Sequence, residues 1–531
     1  MTKIFRPTMA ISRLCLLAFS FFAFAATSVF PQTVWFKYQA NPVLTRGSVG
    51  TWDDESVFPS RVIYQDTVYR MWYTGWDGSF WRTGHATSSD GVNWTKTDGN
   101  PVLSQGPQAW ESGGSSEAYV IVTPTGYQMW YMGEDFSENW RIGYAASSDG
   151  LTWSKINPGG NPILGPGSWY ARGPHNPSVL GPDSLGGYMM WFQGEPLDHA
   201  DFQIGFATAP NETTWTPTAD SVLSWGTAGS WDDDKVMCPR VIHDGQIFEM
   251  WYCGERTDAR TQIGYATSLD GITWTRHGAN PVLRRGPASW DAQDLYSLDV
   301  LFKASLYHMW YGGMDRLPSV PKNVGYAISP KGMTFSVSTP DSIFNSVDDT
   351  IVVYVGVDDP SGLRFSARIL SGAAPVDTVE LFDDGAHEDS LAGDGFFANR
   401  WIPAGSSVYS VDLLLTLHDT LNFEMKNAAV NLVTTVRNAE FIAPQGYHLS
   451  HNFPNPFNPT TEIRYQISEV SHVTLKVFDM LGREVATLVN EELSPGSYEV
   501  TWDAAGFPSG TYFYKLTTGE FVETKKLLLL R

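Results

Sequence analysis

A chain of 531 residues with 21 Trp, 49 Gly and 32 Pro is too long for one ordinary core and too aromatic for disorder. Its abundance of turn formers favours many short strands over long helices. The net charge of -22 argues against a nucleic-acid backbone or an anionic membrane as partner, and fits a neutral partner or a cation.

In chain order, residues 1–26 read as a signal peptide. Lys3, Arg6 and Arg13 precede the apolar run Leu14 to Ala26, and Ala23-Phe24-Ala25 supplies a small-x-small cleavage site. No later segment is long and apolar enough to span a bilayer, so no membrane-spanning segment is expected after cleavage. Of the three cysteines, Cys15 leaves with the leader. Cys238 and Cys253 fall on consecutive predicted strands, as a cross-strand disulfide or as two buried thiols. Neither arrangement makes a metal site or a catalytic thiol.

Residues 33–335 are an internal repeat. Asn-Pro-Val-Leu begins at Asn41, Asn100 and Asn280, with variants at Asn161 and Asp220, so successive starts lie 59, 61, 59 and 60 residues apart (100−41, 161−100, 220−161, 280−220). Each unit opens on a Trp (Trp52, Trp110, Trp169, Trp231, Trp290) and continues through an apolar pair such as Val120-Ile121. A Met-Trp-aromatic strand follows, as in Met129-Trp130-Tyr131, then a strand such as Ile142-Gly143-Tyr144-Ala145. A Ser-x-Asp-Gly turn then leads to another Trp (Ser147 to Trp153). Four short strands at a sixty-residue period make a propeller blade, and five periods predict a five-bladed β-propeller. Trp35-Phe36-Lys37 stands where Trp94-Thr95-Lys96 stands before Asn100. The N-terminal strand is therefore expected to complete the last blade and remove a free edge.

Two further modules follow, giving an all-β chain. Residues 336–440 alternate as in Thr350 to Val355 and read as an immunoglobulin-like β-sandwich. Within it, Asp383, Asp384, Asp389 and Asp394 lie among glycines, either as a structural calcium site or as a solvated acidic hairpin. Residues 447–531 carry Asn452-Phe453-Pro454-Asn455-Pro456-Phe457-Asn458-Pro459, then Gly496-Ser497-Tyr498, Trp502, Pro508-Ser509-Gly510-Thr511-Tyr512-Phe513 and Lys525-Lys526-Leu527. This segment resembles the C-terminal sorting domain of the type IX secretion system, an immunoglobulin-like module. The resemblance implies that machinery as a partner, and a location that is secreted or on the outer cell surface.

The repeat motifs, from the opening Trp through Met-Trp-Tyr-x-Gly to Asn-Pro-Val-Leu, resemble the five-bladed glycoside hydrolase superfamily of arabinanase, levansucrase, invertase and the mannoside phosphorylases. Such enzymes place carboxylates on the innermost strands around a central channel, and the chemistry needs two of them across the scissile bond with no cofactor. Where that family carries an Asp on the first inner strand, this chain has Pro59-Ser60-Arg61. Glu117-Ala118-Tyr119 supplies an acid in the second blade, and Asn176 with His175 stands in the third.

Acids that recur after the opening Trp (Asp53, Glu111, Asp232, Asp291) read as scaffold, because catalysis needs asymmetry. Residues that break the repeat are the better candidates. Glu117 is the expected acid, with Asp54 or Glu55 opposite. Arg61, Arg172, His175, Asn176, Asp234, Arg240 and Asp299 are the expected substrate-binding groups, and the second-strand ends add Glu134, Glu195, Glu255 and Asp315. The expected function is a secreted glycoside hydrolase acting on poly- or oligosaccharide. The alternatives are a non-catalytic glycan-binding propeller and a surface-interaction scaffold.

Overall fold

The computed structural model describes residues 34–338, 351–434 and 447–530, apart from 183–186, 199–200, 259, 287–289, 315–321, 390, 403–406, 451, 453–454, 456, 468–469, 494–495 and 520. Residues 1–26, the expected signal peptide, and Asp315 lie outside the described residues. The chain is nearly all β.

The repeat folds into five units of antiparallel strands. Unit 1 comprises Ser56–Gln65, Val68–Trp76, Trp81–Ser88 and Thr95–Lys96. Unit 2 comprises Gly114–Thr123, Gly126–Glu134, Trp140–Ser147 and Ser154–Lys155. Unit 3 comprises Gly173–Leu180, Tyr188–Glu195, Gln203–Ala209 and Thr216–Pro217. Unit 4 comprises Lys235–His243, Phe248–Arg256, Arg260–Ser268 and Thr275–Arg276. Unit 5 has Asp294–Lys303, Leu306–Met314 and Asn323–Pro330. Its fourth strand is the N-terminal Phe36–Tyr38, which pairs Phe36 with Ile328 and Lys37 with Ala327. The far edge of that strand is covered in turn by Leu421–Thr434 of the following module, so the last unit offers no open edge there.

The motif residues explain how the units join. Trp72, Trp130 and Trp191 are fully buried, and each indole N–H donates to a turn carbonyl of the next unit: Gly150 at 3.0 Å, Glu212 at 3.0 Å and Gly271 at 2.8 Å. Trp310 of unit 5 donates to Gly91 of unit 1 at 2.9 Å, which closes the ring. Units 4 and 5 meet through Trp251 and Tyr307, 5.5 Å apart. The acid after the opening Trp is a staple. Asp53, Glu111, Asp232 and Asp291 are buried and accept from Lys96, Lys155, Arg276 and Lys37 on the fourth strand, at 2.5 to 2.9 Å. Each also takes the hydroxyl of the second-strand Tyr. In unit 3 Tyr170 stands at the acid's position and Pro217 at the cation's. Both charges are absent together, and Tyr170 packs on Phe192 instead. The strand glycines give the opening Trp its seat: a Cβ at Gly133 would lie 2.2 Å from the Trp110 ring.

After the ring, Thr334–Ser338, Ile351–Gly356 and Phe396–Trp401 form one sheet. Leu363–Ser371, Ala374–Leu381, Ser407–Leu417 and Leu421–Thr434 form another stretch, continuous with unit 5. The C-terminal module stacks a three-stranded sheet that includes Thr460–Ile467 and Gly496–Asp503 on a four-stranded one. The latter runs Glu484–Leu493, Ser471–Asp479, Gly510–Thr518, Phe521–Leu529. Its core is Ile463, Tyr465, Leu475, Val477, Trp502, Tyr514 and their neighbours. The alternating in–out pattern of Ser471–Asp479 is what a strand buried on one face requires.

Candidate active site at the centre of the ring

The innermost strands share one irregularity. Their register shifts just before the apolar pair in all five units, the mark of a β-bulge, which re-aims a side chain. The residues there are Pro59, Glu117, Asn176, Cys238 and Ser297, and the last four have φ of 48°, 51°, 52° and 45°. That left-handed backbone turns each N–H toward the preceding unit. Glu117 N donates to Thr74 Oγ1 (2.9 Å), Asn176 N to Glu117 Oε2 (2.9 Å) and Cys238 N to Gln193 Oε1 (3.2 Å). Ser297 Oγ reaches Pro59 O at 2.7 Å. The bulged residues are therefore both the inter-unit seams and the floor of a cavity.

That cavity measures about 230 Å³. Its walls include Phe58, Trp81, Trp140, Phe202 and Tyr296, and its acids are Glu117, Glu134 and Glu195. His175 stands at its centre of charge. Its Nδ1 lies 3.1 Å from Glu117 Oε2 and its Nε2 lies 3.3 Å from Glu195 Oε2. The ring stacks on Trp140, with centroids 5.1 Å apart and 21° between planes. Burial opposes the imidazolium, but the two carboxylates outweigh it and hold the His175 pKa up to about 10. His175 is thus a cation at neutral pH, locked between two acids.

Glu134 is different in kind. It is 8% exposed, and its Oε2 is buried without a hydrogen-bond partner. Burial, with the nearby charge of Glu117 added, pushes its pKa up to about 7. Two acids of one cavity are thereby held apart in role. Glu117 accepts at Oε2 from a backbone N–H and an imidazolium, and Glu134 is poised to carry a proton. The sequence reading made Glu117 the acid; its Oε2 here meets two donors, the Asn176 N–H and His175 Nδ1.

The other expected residues scatter. Asp54 accepts the Gly50 N–H at 2.5 Å in the loop after the opening of unit 1, and Glu55 beside it is exposed. Neither lines the cavity, so neither stands opposite Glu117. Asn176 and His175 do line it. Arg240 is 1% exposed and spans the ring, donating to Pro239 O (2.7 Å), Ser60 O (2.9 Å) and Pro177 O (3.4 Å). Asp299 lies 3.4 Å from both Arg240 Nε and Arg61 Nη1 and takes the Val62 N–H at 2.6 Å. Arg61 stacks over Tyr119 at 4.5 Å. These three charged residues form a plug in the ring rather than cavity lining. Arg172 covers Trp140 at 5.3 Å and donates to Glu138 O. Asp234 lies 3.5 Å from Lys235. Cys238 and Cys253 are both free and buried, which settles the two-thiol alternative.

Glu134, Glu195 and Glu255 occupy one repeat position, which is why sequence reasoning named them together as second-strand ends. Glu255 is the scaffold member, held by Lys235 at 2.7 Å and Thr261 at 3.2 Å. The signal that separates Glu134 from it is a missing partner: the residue paired with Glu134 is Gly114, whereas the one paired with Glu255 is Lys235.

Comparison with known proteins adds three findings. Residues 451–530 match the family described as "Secretion system C-terminal sorting domain". An uncharacterised protein of Mycobacterium tuberculosis is 31% identical over 113 residues, 20% of this chain and 36% of that protein. The chain thus spans about a third of the length of the curated relatives it matches. Similar solved structures include a glycosyl hydrolase from Bacteroides ovatus (18% identity, 55% of this chain, 92% of that one, TM-score 0.45). They also include a β-1,2-mannobiose phosphorylase from Listeria innocua (13%, 56%, 96%, TM-score 0.45). The sorting domain marks the protein for secretion and the outer cell surface.

Proposed function

We propose that this protein is a secreted glycoside hydrolase acting on a poly- or oligosaccharide, built as a five-bladed β-propeller followed by two immunoglobulin-like modules. The observation that carries the reading is the pair of unlike acids in one aromatic-walled cavity: Glu134 with a buried, unpartnered oxygen, and Glu117 accepting from the Asn176 N–H. Glu134 donates its proton to the glycosidic oxygen as the bond from the anomeric carbon to that oxygen breaks. A water adds to the anomeric carbon and its proton passes to Glu117, so one water is consumed and two hydroxyl-ended products leave. His175 and Glu195 act by position, fixing Glu117 and offering a flat partner to Trp140. Trp81 and Phe202 give the apolar face of a sugar something to lie on.

The test is sugar release from a panel of polysaccharides. The parent is expected to release sugar from at least one, with Glu134→Gln and Glu117→Gln each reduced by about a hundredfold or more. Release unchanged in Glu134→Gln would remove it as the proton donor. A binding-only propeller is the second reading, and retention on a polysaccharide without any release would favour it.

The middle module is proposed to hold a calcium ion. One oxygen each from Asp383, Asp389 and Asp394 lie within 4.8 Å of one another, and carboxylate oxygens are the donors that hard cation takes. Asp384 is turned to His387 instead, at 2.9 Å. Calcium is expected to raise the melting temperature of this module and a chelator to lower it, in calorimetry. A transition indifferent to both contradicts the site.

A further inference from the structure

The cavity has an aromatic extension that the hydrolytic chemistry does not use. At the residue after the second-strand Gly, units 2, 3 and 4 carry Glu134, Glu195 and Glu255, but unit 1 carries Trp76. Three residues before the third-strand Gly the order is Trp81, Trp140, Phe202, Thr261 and Lys322. Aromatic residues are therefore gathered on the side of units 1 to 3. Trp81 lines the cavity, packs against Phe58 at 6.4 Å and 33°, and stacks on Trp76 at 5.3 Å and 18°. Phe58, Trp81 and Trp76 form a ladder that starts inside the cavity and continues beyond its lining. Next to it, Phe80 of unit 1 meets Phe136 of unit 2 at 6.2 Å, and Phe136 is 74% exposed.

The hairpins that present these rings are held in shape. Asp77 accepts the N–H groups of Ser79 and Phe80, each at 2.9 Å, and pairs with Arg82 at 2.6 Å. Asp135 accepts from Ser137 N at 2.8 Å and Asn139 N at 3.1 Å. A single exposed Phe needs no explanation. Trp76, Phe80, Trp81 and Phe136 on two adjacent, pinned hairpins, continuous with a cavity, are the kind of apolar patch that marks a binding groove.

We infer that Trp76, Phe80 and Phe136 form a second subsite that holds the next ring or rings of an uncharged glycan whose terminal sugar occupies the cavity. This rests on the carbohydrate reading above. The occupant follows from continuity: Trp81 belongs to both cavity and ladder, so whatever fills the cavity and extends outward lies along Trp76. The charges beside the ladder, Asp77 and Arg82, neutralise each other and leave stacking as the attraction.

The experiment uses the full chain in affinity electrophoresis through gels containing yeast mannan, arabinan or laminarin. Sugar release from the same polymers and from 4-nitrophenyl monoglycosides is measured alongside. Retardation of the parent by at least one polymer is expected, with the dissociation constant weakened at least about fivefold in Trp76→Ala and Phe136→Ser. The ratio of polymer to monoglycoside turnover should fall by a similar factor. Phe136→Ser guards against misfolding of the half-buried Trp76 variant, because its ring is exposed. Retardation and ratio unchanged in both variants would overturn the subsite. Release without any retardation of the parent would overturn the subsite alone, and neither release nor retardation would take the carbohydrate reading with it. A parent that is dimeric by light scattering, with Phe136→Ser monomeric, would assign the patch to a second copy of this chain and likewise overturn the proposal.

Discussion

His175 shows how much one side chain can organise. Its protonated ring ties Glu117 to Glu195 and lies flat on Trp140, while Glu134 in the same cavity is left with an unpartnered oxygen. A carboxyl pushed up to about 7 from an ordinary 4.5 binds its proton more tightly folded than unfolded. The stabilising contribution is therefore full below pH 4.5 and is lost as pH rises through 7. Glu134→Gln removes that titration. It should match the parent near pH 4 and exceed it in stability near pH 8, by on the order of 3 kcal/mol, in denaturant melts at the two pH values. Equal stability at both would contradict the burial argument. Glu117, His175 and Asn176 were legible in the sequence because they break the repeat. Glu134 was legible only as one of the second-strand ends, because it shares its repeat position with Glu255 and differs from it only in what surrounds it.

The staple between the first acid and the fourth strand belongs to the element scale. Lys37 lies 2.5 Å from Asp291, whose side chain is 3% exposed, so removing the cation leaves a buried carboxylate uncompensated. Lys37→Met should destabilise the ring by about 3 to 5 kcal/mol. Lys37→Met with Asp291→Asn should recover most of the loss, since unit 3 holds its place with Tyr170 and Pro217 and no charge. A double variant as unstable as the single one would refute this. Arg240 is the counterpart across the ring, where Arg240→Met strands carbonyls of three inner-strand residues and should lower the melting temperature similarly. The strands themselves were legible from spacing alone, and so was the N-terminal strand's place in unit 5. The bulge was not. A left-handed residue at Glu117, Asn176 and Cys238 leaves no trace in residue type, because the inter-unit hydrogen bonds that impose it exist only once the ring is closed.

For the whole molecule, export and chemistry are carried by different parts of the chain. Removing residues 451–530, the segment that matches the sorting family, should leave the protein inside the cell envelope of a host with that secretion system. Fractionation and surface labelling would show this, and a truncated chain that still reaches the surface would contradict the assignment. The C-terminal module was legible because its motifs are short and specific. The arrangement of the site was only partly so, because Asp54, Arg61 and Arg240 stand out by asymmetry and make their contacts outside the cavity lining, while Glu55 is exposed. Glu134 is proposed to deliver the proton, in a cavity where Glu117 accepts from Asn176 and faces His175. The most direct measurement is the pH profile of sugar release from a polysaccharide the parent cleaves, set beside that of Glu134→Gln. The account predicts a parent whose rate falls as pH rises past about 7, and a variant that is slow and lacks that limb. A parent rate still level well above that pH, or a variant that keeps the limb, would contradict it.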